Sequence, residues 1–132
     1  MQKCKYLDDL GLKLNEYGTN FCDDTDPRME YWLKQQEEYG FDERETWNMD
    51  YQFLQWIYTR MKMYCEECCV DTSFHKFTYK DKEMTQQECI DRIFELAEEN
   101  FKDNKFPMSD QYYDNMTEIC EIWAIIWPAM WW

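Results

Sequence analysis

The sequence predicts a mainly α fold, a compact antiparallel bundle of about four main helices with a small β-hairpin over residues 74–84. Three observations predict it. Apolar residues recur at spacings of three and four over long stretches, which puts them on one face of a helix. Acid-Pro and Thr-x-x-Glu signals mark helix starts, and Gly40 marks a stop. The period switches to alternation only once, between Val70 and Met84. With 3 Gly and 3 Pro in 132 residues there is little room for linkers, so residues 1–132 are expected to form a single domain. Residues 1–26 are expected to be a weakly structured segment packed on the bundle.

Tyr6, Leu7, Leu10, Leu12 and Leu14 suit one short helix broken at Gly11, and 18–26 reads as a polar loop. Asp26-Pro27 opens a helix over 27–39, with the acid at the cap and proline where its missing N–H costs nothing. Met29, Trp32, Leu33 and Tyr39 are expected to face inward. The central helix, 42–68, carries Trp47, Tyr51, Leu54, Tyr58, Met61, Cys65 and Cys68 at spacings of 4, 3, 4, 3, 4 and 3, with Ile57 and Tyr64 widening the stripe. Asp42 is expected to cap it and Glu45 to close a capping box.

In 70–84, Phe74, Lys76 and Thr78 alternate with His75, Phe77 and Tyr79, and Lys80-Asp81-Lys82 suits a turn. Thr85 and Glu88 then predict a capping box for a helix over 86–102, whose apolar stripe is Ile90, Phe94, Ala97 and Phe101 and whose polar face holds Asp91, Glu95, Glu98 and Glu99. Ser109 or Asp110 caps the last helix, 110–128, with Tyr112, Met116, Ile119, Trp123, Ile126 and Met130 in line. Trp123, Trp127 and at least one of Trp131 and Trp132 are expected to pack against the central helix near Trp47 and Tyr51. The apolar run from Ile119 is too short for a membrane span and is broken by Glu121.

Lys and Arg total 14 against 28 Asp and Glu, a net charge of −14. That field repels phosphates, which argues against direct binding to nucleic acid or anionic membranes, and it attracts basic protein surfaces. Seven cysteines and a charged N-terminal stretch predict free thiols in a reducing, cytoplasmic setting.

Cys65, Cys68, Cys69 and His75 make the one metal-like cluster of the sequence, but zinc sites commonly use two Cys pairs and only one C-x-x-C occurs. Burial of the thiols on the apolar stripe explains them better. Glu88/Asp91, Glu95/Glu98 and Glu118/Glu121 are i, i+3 carboxylate pairs of the kind that bind magnesium in all-α nucleotide pyrophosphohydrolases. The adjacent-Glu pattern of those enzymes is not met, because Glu98-Glu99 is followed by Lys102. His75 is the only histidine, and no glycine loop for phosphate exists. The expectation is a protein without catalytic activity, metal or cofactor.

The segments GFDERETWN, HKF…TQQE and PAMWW resemble a set of small phage and prophage proteins of Gram-positive gut bacteria, over most of the chain after residue 22. That resemblance implies a phage accessory context, in which acidic proteins of this size are often inhibitors of host or defence proteins, anti-CRISPRs among them. The functional expectation is an acidic inhibitor in the host cytoplasm that occupies a basic nucleic-acid-binding surface of a host or CRISPR-type effector. Its partner-binding carboxylates are expected to be Asp23, Asp24 and Asp26, then Glu37, Glu38, Asp42 and Glu43, then Glu95, Glu98, Glu99 and Asp103. The alternatives are a phage assembly factor that forms homo-oligomers through its apolar C-terminal helix and, less well supported, the pyrophosphohydrolase.

Overall fold

The computed structural model describes residues 4–11, 25–103 and 108–131, and the chain is mainly α with one small antiparallel hairpin. It divides into two compact units, 1–59 and 60–132.

In the first unit, α1 is the single turn Lys5–Asp8, with Leu7 buried. Helix α2 spans Met29–Tyr39 and stops at Gly40, whose φ of +83° is the left-handed cap that glycine adopts without a side-chain clash. Only Trp32 of α2 is buried, while Leu33 and Tyr39 are exposed, against the expectation that they face inward. The helix buries a narrow face because one indole fills the space under it.

The expected helix 42–68 starts later than its capping signal implied. Asp42 caps a 3-10 turn, Glu43–Thr46, rather than the long helix, its side chain accepting from the Arg44 N–H. Trp47 is extended and Asn48 left-handed at φ +50°, a conformation that Asn tolerates. Helix α3 then runs Met49–Glu67, its first N–H groups reaching the Asn48 carbonyl. The expected stripe is buried at Tyr51, Leu54, Ile57, Tyr58 and Met61. Met49, Trp56 and Met63 on its other side are exposed.

In the second unit, strands β1 (Lys76–Tyr79) and β2 (Lys82–Thr85) pair antiparallel, from Lys76 opposite Thr85 to Tyr79 opposite Lys82. Their two-residue turn holds Lys80 at φ +48° and Asp81 at +63°, the primed geometry that suits strand twist. Helix α4, Gln86–Lys102, begins with the expected Thr85–Glu88 capping box, and α5, Asp110–Ile126, begins with Ser109 capping the Tyr112 N–H.

Helices α4 and α5 pack antiparallel. Asn100 late in α4 meets Asn115 early in α5, Arg92 meets Glu118, and Gln86 at the start of α4 meets Ala129 beyond the end of α5. Ile90, Ile93, Leu96, Ala97 and Phe101 of α4 and Tyr112, Ile119, Ile122 and Ile126 of α5 are buried. Inside this apolar seam the Asn100 amide donates to the Tyr112 carbonyl at 3.1 Å and accepts from Asn115 at 2.9 Å. A buried amide pair of this kind fixes the register of two helices, because sliding either one strands polar atoms in the seam. The hairpin lies on the same pair, β2 against α4 and β1 against α5.

Proline at 128 has no N–H to give the preceding turn, so α5 stops at Ile126 and a 3-10 turn, Trp127–Ala129, follows. Of the indoles expected to be buried, Trp123 is half-buried, but Trp127 is 59% exposed and Trp131 69%, and Trp132 lies outside the described residues. The tail is held by its backbone instead. Gln86 Nε2 donates to the Ala129 carbonyl and the Tyr64 hydroxyl to the Trp131 carbonyl. Among the described residues no helix is long and apolar enough to cross a membrane.

Candidate acidic interface

The first unit pairs two of its carboxylates with its own arginines. Asp26 accepts from the Arg28 N–H at 2.8 Å and from its Nε and Nη2 at 3.1 and 3.0 Å. Asp42 accepts from Arg44 through the same three groups, at 2.9, 2.9 and 2.8 Å. Each is an Asp-x-Arg clip, in which the two-residue offset lets one carboxylate hold a backbone N–H and a guanidinium fork together. Both guanidiniums lie over the Trp32 indole, 4.8 Å (Arg28) and 4.4 Å (Arg44) from the ring centroid, where the ring's negative face attracts cations. The indole Nε1 donates to Glu43 at 2.9 Å, and Trp47 meets Trp32 edge-on.

These clips change the expected binding set. Asp42 is 3% exposed, so it is a buried ion-pair member rather than a surface carboxylate. The reason is local: its capping position faces Arg44 two residues on, and Gln36 Nε2 also donates to its Oδ2 at 2.7 Å. Burial pushes its pKa up, but hydrogen bonds from Arg44 and Gln36 and the Arg44 charge outweigh that and hold it below the ordinary 3.8. Glu43 is half-buried against Trp32, and Asp26 is paired. Glu37 and Glu38 are exposed on α2. Asp23 and Asp24 lie outside the described residues.

In the second unit, two of the four expected carboxylates face outward. Glu95 and Glu99 share the outward face of α4, Glu98 is half-buried on its flank, and Asp103 is half-buried at the helix end, accepting from the Ser109 N–H and hydroxyl. Asp91, expected on this polar face, and Glu88, expected only as the capping-box partner of Thr85, complete this row, although neither was among the expected binding carboxylates. Glu88, Asp91, Glu95 and Glu99 are all exposed and follow at spacings of 3, 4 and 4, one stripe along the helix. The signal in the sequence is the helical spacing itself, which extends that polar face back three residues from Asp91 to Glu88. From Glu88 to Glu99 the rise is about 16 Å, so a carboxylate comes roughly every 5 Å.

The stripe is ordered by its neighbours. Glu88 accepts the Thr85 N–H in the capping box, Asp91 accepts from Gln87 Nε2 at 2.9 Å, and Glu95 pairs with Arg92 at 2.9 Å. Arg92 also bridges to Glu118 of α5 at 2.8 Å. Next to it, the Tyr79 hydroxyl donates to Glu121. Partial burial, that bond and the nearby Glu121 and Glu118 charges push the Tyr79 pKa well above its usual 10, so it stays a donor.

Six cysteines among the described residues are unpaired, and Cys65, Cys89 and Cys120 have their pKa values raised by burial, which leaves them as protonated, weakly nucleophilic thiols. Among the described residues no three His, Cys, Asp or Glu side chains gather to hold a metal ion. What fold and surface define is a class: an acidic, mainly helical protein whose carboxylates are ordered on helix faces. No protein-family model, curated protein or solved structure matches the chain.

Proposed function

We propose that this protein is an acidic binding protein, without catalytic activity of its own, that occupies a basic nucleic-acid-binding surface of a host protein or a CRISPR-type defence effector. The observation that carries the reading is the α4 stripe of Glu88, Asp91, Glu95 and Glu99. A single DNA strand presents a phosphate about every 3.4 Å. One carboxylate per roughly 5 Å is a sparser row of the same sign and the same order of spacing, held on a rigid helix. A groove that evolved to hold a phosphate row therefore meets a preordered anionic edge, and the net charge of −14 steers the encounter at low salt. The resemblance to phage and prophage proteins supports an effector of host defence as the owner of that groove.

The test is affinity capture from host lysate with the full chain, followed by neutralisation of the stripe as Glu88→Gln, Asp91→Asn, Glu95→Gln and Glu99→Gln. Capture of a basic nucleic-acid-binding protein that the neutralised variant loses supports the proposal. Capture of no such protein, or equal capture by the variant, refutes it.

A further inference from the structure

We infer that the outer face of α3 is the seam of a homodimer, in which a second copy of the chain lays its own α3 antiparallel across it. Met49, Phe53, Trp56, Arg60 and Met63 follow at spacings of 4, 3, 4 and 3, inside an arc of about 80° on the side of α3 away from its buried residues. Met49, Trp56 and Met63 are 66%, 46% and 57% exposed, Arg60 is exposed and Phe53 is half-buried. The row is contiguous. Phe53 and Trp56 stack with ring centroids 6.4 Å apart, each other neighbour is one helical turn on, and Arg60 is the one polar member. Four large apolar side chains in one row on the water side of a helix make an interface pattern, unlike apolar residues scattered singly over a surface.

Charge and order together select a second copy as the occupant. From Tyr51 to Cys65 the chain has no Asp or Glu, the longest such run in a sequence that holds 28 of them. A molecule of net charge −14 approaches its own copy at least cost there, because no carboxylate meets a carboxylate across the row. The row offers a basic partner no carboxylate to pair with. Alternating spacings of 4 and 3 are those of a coiled-coil seam. In a two-fold antiparallel pair, Phe53 of one copy meets Met63 of the other and Trp56 meets Arg60, and the symmetry axis repeats both contacts. The first is a sulfur–aromatic contact, and the second sets a guanidinium over an indole. Reversed, the row is its own complement. The inference does not rest on the proposed function.

The test is sedimentation velocity of the purified full chain. A contact of one helix face per copy belongs to the small interfaces, under about 1,200 Å² in total, so the dimer should form toward about 100 μM and dissociate near about 1 μM. Salt screens the repulsion between two acidic chains, so raising NaCl from about 0.05 to about 0.5 M should tighten the dimer roughly threefold or more. Trp56→Arg and Arg60→Glu should each, alone, weaken it by about tenfold or more. An equimolar mixture of the two variants should associate again, because the new guanidinium then faces the new carboxylate while the remaining Arg60 still covers the remaining Trp56. Should Trp56→Arg lose helicity, Met63→Glu, at a side chain already 57% exposed, should weaken the dimer by about tenfold or more.

A wild-type chain that stays monomeric at about 100 μM in both salt concentrations overturns the inference. So does a dimer that the α3 substitutions leave intact, since the contact would then lie elsewhere on the chain. A mixture of folded variants that associates no better than either alone refutes the antiparallel pairing of Trp56 with Arg60. A dimer that dissociates as salt rises also refutes it, because oppositely charged surfaces would then hold the copies together.

Discussion

Asp26 and Asp42 make the same clip to an arginine two residues on, one pair half-open to water and the other buried, and the difference sets what each is worth. Arg28 is 54% exposed, so water and salt screen its pair, and Asp26→Asn should cost under about 1 kcal/mol. Asp42 and Arg44 are both 3% exposed, and losing the carboxylate charge leaves the Arg44 charge buried beside a neutral group. Asp42→Asn should therefore cost about 3 kcal/mol in urea unfolding at pH 7. The folded pKa of Asp42 lies below its unfolded value, so its contribution is present above about pH 4 and is lost as pH falls through the folded pKa. The gap between wild type and Asp42→Asn should narrow when the urea midpoints are measured again at pH 3. A constant gap from pH 7 to pH 3 would mean that the carboxylate charge is not what stabilises the turn.

At the scale of elements, two local features invite measurement. The β1–β2 turn holds Lys80 and Asp81 at positive φ, where residues with a Cβ pay a steric cost. Asp81→Gly should raise stability by about 0.5 kcal/mol, read from the thermal midpoint, since the relief of strain exceeds glycine's entropy loss. In the α4–α5 seam, Asn100→Leu should cost about 1–3 kcal/mol because it strands the Asn115 amide. Replacing Asn115 by Leu as well should recover much of that loss, and a double-mutant cycle with additive costs would contradict the coupling.

The elements also show what the sequence could reveal. Thr85–Glu88, Ser109 and Gly40 act where their signals lie, because caps and left-handed glycine are set by residues within one turn. The hairpin was legible from alternation. The late start of α3 was not: Asp42 offers a capping signal, and its diversion to Arg44 depends on which local partner wins. The exposure of Trp127 and Trp131 was hidden for a different reason. Indoles at helical spacing look like core in sequence, and only the packed chain decides whether any surface covers them. For the candidate site, Glu95 and Glu99 were legible as an outward face, while Asp42 and Glu43 were spent inside the first unit on Arg44 and Trp32.

Over the whole molecule the dominant quantity is charge. A net −14 on 132 residues means that association with a basic partner should weaken steeply with salt. The proposed function assigns that contact to the α4 stripe of Glu88, Asp91, Glu95 and Glu99. The most direct measurement of the central claim is competition. The captured partner is loaded with a fluorescently labelled nucleic acid, and the full chain is titrated in while the anisotropy of the label is followed. The account predicts displacement by the wild-type chain, and a loss of at least tenfold in potency for the variant neutralised at Glu88, Asp91, Glu95 and Glu99. A stable ternary complex, or displacement that the neutralised variant performs equally well, would contradict it.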